Sequence, residues 1–125
     1  MTEIYDISKL ISIMKYILFL QTIGVNIMDF IVVFAKVYPK EGCKDTIIDL
    51  SNDLIENTLA EDGNIDYQLL KSLDDDTLTF VEKWKSLDDL KKHMASKHFQ
   101  LFGSESKDFV EDMKIQVIGA SELNL

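Results

Sequence analysis

The chain has no arginine, one proline and one cysteine among its 125 residues. Arginine carries the planar fork of donors that grips a phosphate group in two places, and its absence leaves 13 basic residues that are all lysines. Because 22 acidic residues give a formal net charge of −9, the chain also repels a polyanion. We therefore expect no nucleic-acid partner, and a small uncharged or hydrophobic ligand is favoured.

The single cysteine, Cys43, rules out an internal disulfide framework and favours a reducing compartment, so a cytoplasmic location is predicted. The chain also lacks a GxGxxG motif and a P-loop, and no nucleotide cofactor is expected. Its two histidines, His93 and His98, are five residues apart and lack an H-E-x-x-H frame. The sequence therefore predicts neither a cofactor nor a metal site.

The first 27 residues differ in pattern from the rest and contain no apolar run long enough to cross a membrane. The apolar run Tyr16 to Leu20 falls short of the roughly 20 residues a span needs. An amphipathic helix is predicted instead, because apolar residues recur at helical spacing: Ile4, Ile7, Ile11, Met14 and Leu18. We expect it to dock on the body of the protein or on a partner subunit; the alternatives are a membrane tether and a true translation start at Met28.

The remaining elements follow from hydrophobic period and turn signals. Apolar alternation and β-branched residues predict strands at Phe30 to Tyr38, Ile65 to Ser72, Leu78 to Lys85 and Lys114 to Ala120. Helical spacing predicts helices at Asp45 to Leu59 and Leu87 to Leu101 and a further helical turn or two at Lys107 to Met113, with Asp74 to Asp76 as a hairpin turn.

The order β, α, β, β, α, β predicts an α+β, ferredoxin-like domain over residues 28–120, between an N-terminal helical extension at 1–27 and a tail at 121–125. Its four-stranded antiparallel sheet carries helices on one face only. The other face would be bare in a monomer, so a homodimer with two sheets face to face is expected.

The stretch from Leu78 to Phe102 concentrates the residues with chemistry. Glu82 and Trp84 share one face of the strand, and His93 lies at the border of the apolar stripe of the following helix, so the three could meet in one cleft. Each also has a structural interpretation, because Trp84 fits a core aromatic and His93 fits a partly exposed helix residue. Glu82 is harder to explain that way, since a buried carboxylate needs a partner.

These residues resemble the antibiotic biosynthesis monooxygenase family. The resemblance rests on Glu61-Asp62-Gly63-Asn64 with Tyr67, on Phe80-Val81-Glu82-Lys83-Trp84 with Ser86, and on His93, Ser96, His98 and Phe99. It implies a dimeric α+β barrel that oxidises quinol-like or polyphenolic compounds with molecular oxygen as co-substrate and with no metal or flavin. Relatives that degrade heme use an Asn in the first strand, which this chain lacks; other relatives isomerise or bind small metabolites.

The resemblance also implies roles for individual residues. His93 would be the general base, since an unperturbed imidazole titrates near pH 6.5. Trp84 would wall the pocket and donate its N–H, and Glu82 would hold the imidazole tautomer. Substrate-binding residues would be Asn64, Tyr67, Met94 and His98, with Asn64 orienting a carbonyl; Tyr67 also fits cross-strand packing, and His98 a helix end or the dimer interface.

Overall fold

The computed structural model describes residues 7–23 and 29–124. The described residues form four helices and a four-stranded sheet, and the strands follow the order predicted from sequence. The bounds are α1 Ile7–Thr22, β1 Phe30–Pro39, α2 Lys44–Leu59, β2 Asn64–Lys71, β3 Leu78–Trp84, α3 Leu87–Met94, α4 Lys97–Ser106, a 3-10 turn Lys107–Phe109 and β4 Val110–Ala120. Ile4 and Met28, on which two predictions for the first 27 residues depended, lie outside the described residues.

The sheet is antiparallel throughout, and its strand order is β2-β3-β1-β4. This order confirms the ferredoxin-like prediction. Because side chains alternate along each strand, the register decides which residues meet on one face. Glu82 on β3 lies opposite Val33 on β1 and Tyr67 on β2, so all three point toward the helices.

The core lies between that sheet face and the helices. Helix α2 packs against both α4 and β2. The most deeply buried apolar side chains come from every layer, and they include Ile31, Val37, Ile47, Leu78 and Trp84. A polar group carried into this layer must find its partner there, which makes the buried Glu82 and His93 informative.

Helix α1 packs its apolar stripe against the body near β4, as one of the expectations for the N-terminal segment proposed. Among its described side chains Met14 and Ile17 are buried, whereas Ile11, predicted on the apolar stripe, is 41% exposed. No helix within the described ranges is both long and apolar enough to span a bilayer.

Two element predictions between residues 87 and 113 were wrong. The helix predicted from Leu87 to Leu101 is two helices, because Ser96 caps a new one by accepting a hydrogen bond from the N–H of Phe99 at 3.2 Å. The helical turn or two predicted from Lys107 to Met113 ends early: it is a single 3-10 turn, Lys107–Phe109, and from Val110 onward the chain is extended and pairs with β1 as β4.

Candidate active site

A short turn after α2 carries the carboxylate of the site. The N–H of Glu61 donates to the carbonyl of Thr58 at 3.0 Å, and the N–H of Asn64 donates to the carbonyl of Glu61 at 3.1 Å. Gly63 lets this turn press against α3, because a Cβ at that position would lie 2.1 Å from Cγ of Asp89. The close approach brings Glu61 to the end of α3.

Two histidines from different helices meet that carboxylate. Nδ1 of His93, in the last turn of α3, lies 2.7 Å from Oε2 of Glu61, and Nε2 of His98, in the first turn of α4, lies 2.8 Å from the same oxygen. In one continuous helix, side chains five positions apart would point about 140° apart. The break at Ser96 is therefore what lets both rings reach Glu61, and Ser96 fixes it by donating its hydroxyl to the carbonyl of His93 at 2.6 Å.

The contact with Glu61 sets the tautomer of His93. An ionised carboxylate only accepts hydrogen bonds, so in neutral His93 the proton lies on Nδ1 and Nε2 keeps its lone pair. Nε2 is buried and has no hydrogen-bond partner among the described residues. Burial lowers the pKa of His93 below its ordinary 6.5, although the hydrogen bond and charge of Glu61 act in the opposite direction. The site therefore holds a neutral imidazole with a free lone pair.

A second ionisable group lies on the strand beneath. Glu82 is 6% exposed, and its Oε1 accepts a hydrogen bond from Nε1 of Trp84 at 3.0 Å. Burial raises the pKa of Glu82 to about 7, while the Trp84 bond lowers it and the nearby charge of Glu61 raises it. Burial therefore favours the protonated acid at Glu82.

Aromatic rings enclose His93. Its ring centroid lies 4.7 Å from that of Trp84, 5.1 Å from Phe99 and 5.4 Å from Tyr67. These rings exclude water from the imidazole, which is 1% exposed. Exclusion of water strengthens the electrostatic interactions within the site.

A small cavity of about 30 Å³ lies between the sheet and the helices. His93 and Glu82 both line it, and its other walls are almost wholly apolar: Val33, Ala35, Leu54, Tyr67, Phe80, Leu90, Met94, Phe99, Phe102, Met113 and Ile115. This volume suits one water or a diatomic molecule. A base and an acid thus face one nearly dry space.

A larger groove of about 400 Å³ lies outside, between α2 and α4. Leu54 and Phe102 line both the groove and the inner cavity, so these two side chains form the wall between them. His98 lines the groove and is absent from the cavity wall.

Only some of the predicted site residues line the inner cavity. His93, Glu82, Tyr67 and Met94 meet at the cavity. Trp84 packs against His93, but its N–H is already bonded to Glu82. The predicted role of Glu82 in holding the imidazole is wrong, because Glu61 holds Nδ1. The role of Trp84 as a donor to substrate stays a prediction.

Asn64 and His98 lie outside the cavity wall. The amide of Asn64 donates to the carbonyls of Asp66 and Lys83, at 3.1 and 3.3 Å, where the β2–β3 pairing shifts register. In this structure the amide of Asn64 therefore joins β2 to β3, and its role toward a substrate carbonyl stays a prediction. Sequence reasoning gave Glu61 no role, although it is the first residue of the Glu61-Asp62-Gly63-Asn64 pattern.

Comparison with known proteins places this geometry in a family. A sequence model described as antibiotic biosynthesis monooxygenase matches residues 30–104. A Bacillus subtilis (strain 168) protein named "Putative monooxygenase YcnE" is 28% identical over 78 residues, which cover 62% of this chain and 80% of YcnE.

Solved structures share the fold. A conserved protein from Methanosarcina mazei Go1 is 30% identical, with a TM-score of 0.72 over 75% of this chain and 95% of that one. Protein SO0527 from Shewanella oneidensis is 29% identical, with a TM-score of 0.71 over 74% of this chain and 92% of that one. Because the family model covers more than half of the chain, including Glu61, His93 and His98, this protein is a member of the antibiotic biosynthesis monooxygenase family.

Proposed function

We propose that this protein is a cofactor-independent monooxygenase that oxidises a small quinol-like or polyphenolic compound with molecular oxygen. The proposal rests on His93: Glu61 holds its Nδ1, its buried Nε2 has no hydrogen-bond partner among the described residues, and the residue lines an apolar cavity. The monooxygenase name of the YcnE relative supports the same reaction class.

His93 performs the first step. Its Nε2 accepts the proton of a substrate hydroxyl, and the resulting phenolate passes an electron to oxygen far more readily than the neutral phenol does. Glu61 keeps the imidazole in the required tautomer and stabilises the imidazolium that forms. Glu82, in its protonated form, supplies a proton to the reduced oxygen species.

The electrons balance without an added reductant. A hydroquinone and one O₂ give a hydroxyquinone and one water, so one oxygen atom enters the ring and the other leaves as water. The substrate supplies all four electrons that O₂ accepts. A quinol-like compound is therefore its own reductant, which fits a reaction that needs no flavin or metal.

The two spaces differ in size, and we assign oxygen to the smaller one and the aromatic ring to the larger one. The inner cavity of about 30 Å³ fits oxygen but not an aromatic ring, whereas the groove of about 400 Å³ fits the ring. Because Leu54 and Phe102 separate the two, the substrate binds in the groove and displaces these side chains to reach His93.

A second function is supported by the same acid–base pair. A base at His93 and an acid at Glu82 facing one cavity could move a proton between two carbons or oxygens of a bound metabolite. That activity is an isomerisation and consumes no oxygen.

Oxygen uptake separates the two functions. The purified chain is incubated with a panel of hydroquinones and catechols in an oxygen electrode, followed by mass spectrometry of the products formed under ¹⁸O₂. Uptake above that of a His93→Ala control, with one ¹⁸O per product, is expected. Proton exchange with deuterated water and no oxygen uptake would establish the isomerase instead.

We also propose that the protein is a homodimer. The sheet face opposite the helices carries an apolar patch formed by Val32, Phe34, Leu70, Val81 and Ile118. Of these, Leu70 is 47% exposed, Ile118 39% and Phe34 37%. A second copy packed sheet to sheet would remove this patch from water.

A further inference from the structure

Glu61, His93 and His98 bring three metal-binding groups together. They come from the turn after α2, the end of α3 and the start of α4, and one ligand atom from each lies within 4.8 Å of the other two. The spacing of the histidines in sequence predicted no metal site. The break at Ser96 changes that, because it turns both rings toward one carboxylate.

The distances are close to those of a coordinated ion. Zinc binds nitrogen and carboxylate oxygen at about 2.0–2.2 Å, which puts two tetrahedral ligand atoms roughly 3.4 Å apart. Here both nitrogens lie 2.7–2.8 Å from Oε2 of Glu61. An ion would enter after these groups separate by roughly half an ångström, and it would replace the protons that now bridge them.

The surroundings of the cluster favour a cation and give it access. The side chains of Glu61 and His98 are 18% and 20% exposed, so the outer edge of the cluster reaches water. The groove lined by His98 also carries three carboxylates, Asp49, Asp53 and Glu105, against the single cation Lys97. Water would complete the coordination on that side.

We propose that Glu61, His93 and His98 form a binding site for a divalent transition-metal ion such as Zn²⁺ or Co²⁺. Two imidazoles and one carboxylate with open positions suit these ions and do not suit Mg²⁺ or Ca²⁺, which prefer oxygen ligands. An ion on Nδ1 of His93 obliges the ring to carry its proton on Nε2. The lone pair that faces the cavity is then lost, so the metal inhibits the oxidation; this consequence depends on the proposed function.

Binding is tested directly on the full chain after treatment with EDTA. Isothermal titration with ZnCl₂ is expected to give one ion per chain, and CoCl₂ is expected to produce visible absorption bands of a nitrogen- and oxygen-bound ion. His98→Ala and Glu61→Gln should each weaken binding by at least about tenfold, since even changes around the ligands of a metal cost that much.

The controls separate this site from adventitious binding. Asp74→Asn removes one exposed carboxylate from the acidic turn, as Glu61→Gln does in the site, and should leave affinity unchanged. Because His98 is partly exposed, its removal does not open the core, as removal of the buried His93 would. Failure of the wild-type chain to bind either ion, or equal affinity in His98→Ala, would overturn the site.

Inhibition is measured separately. Stoichiometric Zn²⁺ is expected to stop oxygen uptake, and a chelator is expected to restore it. Uptake that continues with the ion bound would overturn the inhibitory role and leave the site intact. An absence of uptake in the metal-free protein would count against the proposed oxidation, whereas the titration would still decide the metal site.

Discussion

Nδ1 of His93 lies 2.7 Å from Oε2 of Glu61, although 32 positions separate the two residues in the chain. Because Glu61 holds Nδ1, Nε2 is the nitrogen of the buried ring that has no hydrogen-bond partner among the described residues. A substitution that removes the charge of Glu61 and keeps its shape should therefore lower the rate of the proposed chemical step more than it weakens substrate binding.

We expect Glu61→Gln to lower kcat by about 10²- to 10⁴-fold, the range typical of general acid–base catalysis, with a much smaller change in KM. Steady-state oxygen uptake measures both. Asp62→Asn removes a charge from the neighbouring exposed residue and serves as the matched control. Equal losses in the two variants would mean that the charge of the turn matters and the contact with His93 does not.

The buried carboxyl of Glu82 should make stability depend on pH. Its pKa is raised from 4.5 to about 7, so the folded chain keeps a proton that the unfolded chain releases. The contribution of this group to the free energy of unfolding is fully present below about pH 4.5 and declines by roughly 3 kcal/mol as the pH rises through 7. The lowered pKa of His93 acts oppositely, since its contribution is lost as the pH falls.

Glu82→Gln isolates this effect, because glutamine stays neutral and still accepts the Trp84 hydrogen bond. Urea unfolding at several pH values should show the variant more stable than the wild type at pH 8, with the difference disappearing toward pH 4.5. Identical pH profiles for the two proteins would show that Glu82 is ionised in the folded chain.

Gly63 should tolerate no side chain. A Cβ there would lie 2.1 Å from Cγ of Asp89, so the turn and α3 must separate. We expect Gly63→Ala to lower the free energy of unfolding by about 1–3 kcal/mol, as overpacking does elsewhere, and to reduce oxidation because Glu61 moves with the turn. Asp62→Ala, at an exposed position of the same turn, should change stability by less than about 0.5 kcal/mol. Unchanged stability of Gly63→Ala in urea unfolding would contradict the close packing.

The apolar patch on the sheet face opposite the helices should determine whether the protein dimerises. Ile118→Lys places a charge in the apolar patch, and dimerisation would bury that charge, so the variant should be monomeric by light scattering at micromolar concentration. A mass near 14.3 kDa is expected for it, and twice that for the wild type. Leu73→Lys makes the same change at a fully exposed residue of the β2–β3 turn and should remain dimeric. A monomeric wild type would refute the dimer.

The sequence predicted the regular elements well where local signals decide them. The strand from Leu78 was predicted to within a residue at its end, and α2 to within a residue at its start. Strand β4 was shortened because its first residues, from Val110 to Met113, look helical in isolation and become extended only by pairing with β1. No local pattern carries that long-range information.

Local patterns identified only some residues of the candidate site, because they carry no information on long-range contacts. His93 and Glu82 were identified because each is an ionisable residue in an apolar pattern. Glu61 was given no role, because its contact with His93 depends on the packing of Gly63 against Asp89 and on the helix break at Ser96. Both features form only in the folded protein, so the contact between Glu61 and His93 could not be predicted from the sequence.

The wall formed by Leu54 and Phe102 also has a kinetic consequence. If the proposed substrate enters from the groove, its ring reaches His93 after Leu54 and Phe102 swing aside, and the rate of productive capture should then be limited by how often they open and not by diffusion. Bulky and small quinols of equal reactivity would then differ in kcat/KM, and the difference should shrink on warming, as the wall opens more often.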